Sequence, residues 1–369
     1  MNTLLRTTLL LGTMLFAGRA DAIVLLDGKL NIAGYATWAY GRTDGNRFLL
    51  GTEDGYYDNA ALALAVRAQA TDDLSASFQF TQDEDPTQNG VDYAFFEWRA
   101  SDAVRFRVGM PKVPLGISWD VNDVGTLRPF LRLPNSVYGN TNFGGYSYLG
   151  VGATGTRPLP GEFELAWDVF VGGISQFVVA PEDVLAVRDG SPDVDSDFPG
   201  TWVEMQDCVG GRLTLNTPIQ GLSVRASGFW GRTPEPWADY ELKPTGMAAA
   251  SLEYAGEVWL LRAEYFHLFE EDFGTSDAAY VEGGVRLGEH WQVVAKVEAT
   301  KLDRPDFEGP MAMLRGREAA VGVNYWFSRD IVVKASASVA DGNRFTLPDA
   351  DGDLHEKTNS VLIGSQFSF

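Results

Sequence analysis

A transmembrane antiparallel up-and-down β-barrel of about sixteen strands is the all-β fold class that this sequence predicts, and three observations predict it. Apolar and polar residues alternate with a period of two in segment after segment, the pattern of a strand whose faces meet different solvents. The links between these segments alternate strictly between short and long. No stretch offers the roughly 18 consecutive apolar residues of a membrane-spanning helix, so any crossing has to be made by strands.

The C-terminal segment shows the alternation most clearly. Reading back from the end, Phe369, Phe367, Ile363 and Val361 alternate with Ser368, Gln366, Gly364 and Ser360, with Ser365 the polar exception on the apolar side. Fifteen similar segments precede 360–369, at about 30–40, 61–70, 74–81, 93–100, 104–110, 147–156, 163–171, 209–216, 222–230, 248–254, 259–266, 279–287, 291–300, 318–327 and 331–339. Sixteen is an even number, as in bacterial single-chain barrels. Short links fall at 71–73, 101–103, 157–162, 217–221, 255–258, 288–290 and 328–330, and every other link is long. A barrel crossing a membrane sorts its connections in this way, with tight turns at one rim and long loops at the other. Closure also leaves no strand edge in lipid, where unpaired backbone groups find no water.

Residues 1–22 read as a secretory signal peptide: Arg6, an apolar core from Leu9 to Ala17, and the small-x-small site Ala20-Asp21-Ala22. With no composition break after it, 23–369 reads as one barrel domain. The single cysteine, Cys208, excludes an intramolecular disulfide and a Cys-based zinc site, so stability has to come from hydrogen-bonded sheet. A formal charge of −21 speaks against a nucleic-acid partner.

The alternation assigns the faces. Toward lipid it places, among others, Trp38, Leu62, Leu64, Phe78, Phe96, Trp98, Phe106, Val108, Leu213, Trp230, Trp259, Tyr265, Val281, Trp291, Val293 and Val321, with several Trp and Tyr near strand ends as in interfacial aromatic girdles. The opposite face carries the charge: Arg67, Arg99, Arg105, Arg107, Arg212, Arg225, Arg262, Arg286, Lys296 and Lys334 against Glu97, Glu164, Asp168, Glu253, Glu264, Glu282, Glu298 and Glu318. Sixteen strands enclose an aqueous lumen rather than a packed core. Charge at this density is expected to need that water, since an unpaired buried ion costs several kcal/mol. The same groups are also placed to pair across strands and brace the wall.

The acidity lies in the long loops, which together carry a formal charge of about −19. The fourth dominates, with Glu182, Asp183, Asp189, Asp193, Asp195, Asp197, Glu204 and Asp207. Such a mouth concentrates cations, binds divalent ions that bridge to lipopolysaccharide phosphates, or serves only as a solvated acidic surface. Asp349, Asp351 and Asp353 offer oxygen ligands to Ca²⁺, without the Gly and distal Glu of an EF-hand loop. No cofactor is called for.

The third long loop, 111–145, is different. Its Pro111, Pro114, Pro129 and Pro134 and its apolar Leu115, Ile117, Trp119, Phe130 and Leu131 suit burial, so it is expected to fold into the lumen and narrow it. Arg128, Arg132 and Lys112 would then face Arg105 and Arg107, making these five the expected constriction. Packing of the loop over a subunit interface is the alternative.

These features together resemble Gram-negative porins. The run Val104-Arg105-Phe106-Arg107-Val108-Gly109-Met110-Pro111-Lys112-Val113-Pro114-Leu115-Gly116 is nearest to the phosphate-selective group, where a fifth strand ends in a similar Gly-x-x-Lys-x-Pro-x-Gly turn. The resemblance implies an outer-membrane homotrimer, a terminal Phe369 serving as assembly signal, and constriction roles for Arg105, Arg107 and Lys112. Sparse lysine and an acidic mouth run against anion selectivity.

Catalysis is weighed and set aside. His267 and His355 fall at or in outer loops and His290 in an inner turn, none beside a plausible Ser nucleophile, and no Gly-x-Ser-x-Gly elbow occurs. The seven or so residues between the cleavage site and the first strand leave no room for a plug domain. The expected function is passive diffusion of small hydrophilic solutes or ions, with alanine at Arg105, Arg107 and Arg128 shifting ion preference toward cations; a non-conducting barrel that tethers a partner is the alternative.

Overall fold

The computed structural model describes residues 22–48, 51–83, 89–122, 124–139, 147–178, 184–186, 201–234, 242–271, 274–304, 306–344, 346–349 and 351–369. The expected signal peptide, through residue 21, and Glu182, Asp183, Asp189, Asp193, Asp195 and Asp197 of the fourth loop lie outside the described residues.

Sixteen antiparallel strands close into one barrel. They are β1 (Leu30–Thr43), β2 (Tyr56–Gln69), β3 (Leu74–Gln82), β4 (Gly90–Arg99), β5 (Val104–Met110), β6 (Tyr148–Pro158), β7 (Glu164–Val178) and β8 (Thr201–Asn216). The circuit continues through β9 (Leu222–Pro234), β10 (Leu242–Ala255), β11 (Trp259–Glu270), β12 (Gly274–Leu287), β13 (Trp291–Asp303), β14 (Arg315–Ser328), β15 (Ile331–Asp341) and β16 (Lys357–Ser368). Each strand pairs with its sequence neighbours, and β16 closes on β1 through pairs such as Ile363 with Tyr40 and Phe367 with Ala36. No helix among the described residues is long and apolar enough to cross a membrane.

The two faces are chemically distinct. Along β13, Val293 and Val297 are exposed on the outside, whereas Val294, Lys296 and Glu298, in alternation with them, are buried inside. Phe96, Trp98, Leu213, Val281 and Val321 belong to the same exposed outer band. An apolar exterior of this kind would cost solvation free energy in water and none in lipid.

The strands run further at the long-loop rim than the alternation indicates. β8 begins at Thr201, not near Val209, because a bulge between Met205 and Cys208 reverses the phase: both side chains point inward and are buried although three positions apart. Asp207, in the bulge, adopts a positive φ of 51°. Glu204 and Asp207, expected in the fourth loop, are therefore strand residues. His267, expected at an outer loop, is likewise on β11. A three-residue strand, Ile23–Leu25, pairs with the start of β1 ahead of the circuit.

The interior is filled on one side by the third long loop. Val113, Leu115, Trp119, Val137 and Tyr138 form one buried cluster with inward-facing Phe229, Met247, Phe266 and Tyr280 of β9 to β12. Phe130 packs on Val294 and Ala320, and Leu131 on Ala39 and Leu362. Short turns at Trp119–Val121, Gly125–Leu127 and Asn135–Tyr138 fold the loop onto this wall.

Candidate functional site

The inner wall divides into a half covered by the loop and a half left open. On the covered half, opposite charges stand directly across neighbouring strands, because antiparallel register puts Glu253 of β10 beside Arg262 of β11, Arg262 beside Glu282 of β12, and Glu282 beside Lys296 of β13. Arg262 Nε is 2.9 Å from Glu253 and its Nη1 is 3.4 Å from Glu282. Arg225 joins Glu253 at 2.7 Å, and Lys296 bridges Glu298 at 2.6 Å and Glu318 at 3.1 Å. Each of these groups has an opposite partner within hydrogen-bond reach, which offsets part of the cost of its low exposure.

The loop is tied to that wall by its backbone. Glu264 of β11 accepts the Ile117 N–H at 2.8 Å, the Ser251 hydroxyl at 2.6 Å, the Tyr280 hydroxyl at 2.6 Å and the Tyr138 hydroxyl. Glu298 accepts the Ser136 N–H at 2.6 Å, and the Ser227 hydroxyl accepts the Gly116 N–H at 3.0 Å. Further on, the Lys334 ammonium donates to the carbonyls of Gly125, Arg128 and Phe130 and to Gln366 Oε1, while Asn324 donates to the Pro129 carbonyl. At the other end Arg212 of β8 donates two bonds of 3.0 Å to Asp120. Burial opposes ionisation of Asp120, and the Arg212 guanidinium outweighs it, holding the carboxyl below its usual range.

On β2 to β6 the wall stays accessible. Glu97 takes Arg67 at 3.3 Å on one oxygen and Arg107 at 2.9 Å on the other, and the Arg107 guanidinium also lies 5.3 Å from the centre of the Phe95 ring. The Arg67 side chain remains 52% exposed and that of Arg107 32%, against 1–2% for Lys296 and Glu298 beneath the loop. Arg99 and Arg105 are direct cross-strand neighbours; Arg99 pairs with Asp73 at 3.2 Å, and Arg105 is exposed with no ionic or hydrogen-bonding partner among the described residues. Cations therefore outnumber carboxylates on the open half.

The five expected constriction residues separate by role. Arg105 and Arg107 stand on the accessible wall. Lys112, two residues beyond β5, is nearly buried in an ion pair with Asp92 at 2.5 Å and donates to Asn122 at 3.0 Å, so its charge is spent holding the loop base. Arg128 donates to the carbonyls of Leu131 and Asn122 within the loop itself. Arg132 is half-buried and makes no hydrogen bond or ion pair among the described residues. Of the expected wall groups, Arg67, Glu97 and Arg99 lie on the open half, Arg225, Arg262, Glu264, Glu282 and Lys296 under the loop, and Arg212 at its Asp120 anchor. Arg286 is exposed near the short-turn rim, with its guanidinium 5.4 Å from the Trp326 ring.

Sequence reasoning missed the anchors. Asp92, Asp120, Ser227 and Asn324 carried no pattern of their own, and Lys334, although in phase with the inner face, gave no sign that its partners are loop carbonyls. The calcium candidate is not assembled. Asp349 Oδ1 accepts the N–H groups of Asp351 and Asp353 and its Oδ2 faces His355 at 3.1 Å, and no group of three or more metal-binding side chains converges among the described residues.

Solved porins and outer-membrane channels superimpose on this closed barrel. The anion-selective porin of Comamonas acidovorans superimposes with a TM-score of 0.56 at 11% identity, over 92% of this chain and 99% of that one. Salmonella typhi OmpF, in complex with daunomycin, gives 0.60 at 13% identity over 94% and 100% of the two chains. The outer membrane channel DcaP of Acinetobacter baumannii gives 0.55 at 11% over 96% and 99%. At such identities the shared property is the fold, a porin-like barrel. No family model matches the sequence, and no curated protein matches it.

Proposed function

We propose that this protein is an outer-membrane porin through which small hydrophilic solutes and ions diffuse passively, with the third loop and the open basic wall setting the narrowest section. The observation that carries the reading is the asymmetric lumen: one half sealed by the loop, the other accessible and lined by Arg67, Arg105 and Arg107. In a narrow passage the nearest wall charges dominate the field felt by a permeating ion, so the basic wall outweighs the acidic outer loops and favours anions. The loops then act at longer range, where salt screens them. Export by the signal peptide, a homotrimeric assembly and contact with lipid and lipopolysaccharide belong to the same reading.

Planar-bilayer recording tests it. Purified protein is expected to give steady single-channel steps, in threes for a trimer, and a reversal potential of anion sign in a salt gradient. Alanine at Arg105 and Arg132 is expected to move that potential toward cations without unfolding the barrel; Arg128, which braces the loop, is the poorer probe. A cation-signed wild-type potential would transfer control to the mouth. A folded but silent barrel would favour the structural, partner-tethering reading. The channel reading is set against an enzyme on the histidine contacts: His267 and His355 each face a carboxylate and His290 Nδ1 lies 2.8 Å from the Trp326 carbonyl, and among the described residues none of the three is hydrogen-bonded to a serine or cysteine side chain. Hydrolysis of ester or peptide substrates by the pure barrel would overturn that.

A further inference from the structure

A cavity of about 850 Å³ opens on the exterior of the barrel, between the outward-facing side chains at the long-loop ends of β11 to β14 and residues 306–314; Tyr265, Lys301, Arg317, Phe307, Pro310 and Met311 are among its lining residues. Strand alternation fixes the side. Lys301 shares its face of β13 with exposed Val297, and Arg317 shares its face of β14 with exposed Val321, so both cations stand on the lipid-facing surface just beyond the apolar band. Met311 is 70% exposed beside them.

Neither cation makes a hydrogen bond or ion pair among the described residues. Lys301 lies directly opposite Asp277 in register and its charge acts on that carboxylate, whose Oδ1 is already taken by the Tyr265 hydroxyl and by His267 Nδ1 at 2.9 Å. Arg317 makes no hydrogen bond or ion pair among the described residues. Arg315, one step further up, is shared by Asp341 and Glu356, each at 3.4 Å. Asp277, Asp303 and Glu356 also line the cavity, so it is not uniformly basic; Lys301 and Arg317 are the two cations there whose N–H groups no hydrogen bond or ion pair takes up among the described residues. A cation on a lipid-facing strand seeks the headgroup layer, where phosphates lie. Directly below, the adjacent small side chains Ala279 and Ala299 leave a shallow trough on the same face.

We propose that this cavity binds a phosphate-bearing amphiphile of the outer leaflet, with Lys301 and Arg317 holding the phosphate, Met311 and Phe307 covering its first methylenes, and an acyl chain lying over Ala279 and Ala299. The assignment rests on the reading that the long loops face the cell exterior. It does not depend on conductance. Two charge-assisted contacts on one phosphate select the charged head, and the apolar lining selects the chain.

Native mass spectrometry of the detergent-solubilised barrel tests the site, with bis-phosphorylated lipid A, dephosphorylated lipid A and inorganic phosphate as the three probes. Wild-type protein is expected to retain the phosphorylated lipid, and K301Q/R317Q to weaken retention by about tenfold or more, as loss of charge-assisted contacts implies. The exchanged pair K301R/R317K is expected to keep it, which separates charge from folding. Conductance should be unchanged in both variants, since neither residue faces the lumen. Equal retention by wild type and K301Q/R317Q overturns the proposal. So does equal retention of the dephosphorylated lipid, and binding of inorganic phosphate without lipid overturns the amphiphile as occupant. Lipid retention by a silent barrel would count against the diffusion reading and leave this one standing.

Discussion

Lys334 fastens the 125–131 segment of the loop to the wall. Its ammonium is buried, and its three N–H groups are shared among four acceptors, the carbonyls of Gly125, Arg128 and Phe130 and the Gln366 Oε1. Replacing it with Met keeps the stem and orphans those carbonyls, at a cost of about 1–3 kcal/mol for each one that finds no water. Lys334→Met is expected to leave the barrel assembled but free the 125–131 segment, seen as larger and noisier conductance steps; unchanged steps would mean the carbonyls find other donors. Gly116 makes a complementary point by its lack of a side chain. Its φ is +50°, and an added Cβ would lie 2.6 Å from Glu264 Oε1 and 2.9 Å from the Phe266 ring. Gly116→Ala therefore combines a strained backbone with a wedge at the anchor, and is expected to cost about 1–3 kcal/mol locally. Limited proteolysis within 111–139 should accelerate in the alanine variant and not in wild type.

At the scale of elements, the third loop behaves as an interior layer. Its apolar side chains complete a core that the strands alone cannot make, because inward-facing Phe229, Met247, Phe266 and Tyr280 would otherwise line water. Glu264 is the polar counterpart, a carboxylate saturated by four donors from two strands and the loop. Glu264→Gln turns one oxygen into a donor facing other donors, and is expected to loosen the loop more than Ser251→Ala, which removes only one of the four. Hydrogen exchange at Ile117 reads this directly, and equal protection in both variants would mean that the apolar contacts alone fix the loop. Much of this layer was legible in advance: tryptophan, phenylalanine and prolines in a link between strands signal burial. The specific anchors were not, because a lysine bonding to carbonyls hundreds of positions away leaves no local period. Strand ends beyond the bulge at Met205 to Cys208 were hidden for a related reason, since one extra residue reverses the alternation on which strand recognition depends.

The whole molecule depends on one seam, where the last strand meets the first. At the short-turn rim Phe369 and Gly34 exchange backbone hydrogen bonds of 2.9 and 3.0 Å. At the long-loop rim the buried Asn46 side chain bonds His355 and Thr358, and the Asp44 carboxylate accepts the Asn359 backbone N–H at 2.7 Å and its side-chain amide. The Asn359 side-chain amide is the main cause that holds the Asp44 carboxyl below its usual range, against the opposing effect of burial. A carboxyl whose pKa is lower in the folded than in the unfolded state stabilises the fold above its unfolded value, near 3.9, and loses that contribution as pH falls through the folded value. The seam's upper end is therefore expected to keep its full strength from neutrality down to about pH 5 and to weaken only in more acidic solution. Hydrogen exchange of the 355–359 amides, corrected for intrinsic rates, should be flat across the higher range and rise below it. Asp44→Asn removes the charge and should abolish the acid-induced rise while raising exchange at every pH. Exchange that stays flat through the acidic range, or an acid-induced rise that persists unchanged in Asp44→Asn, would mean that the Asp44 charge does not set the strength of the seam.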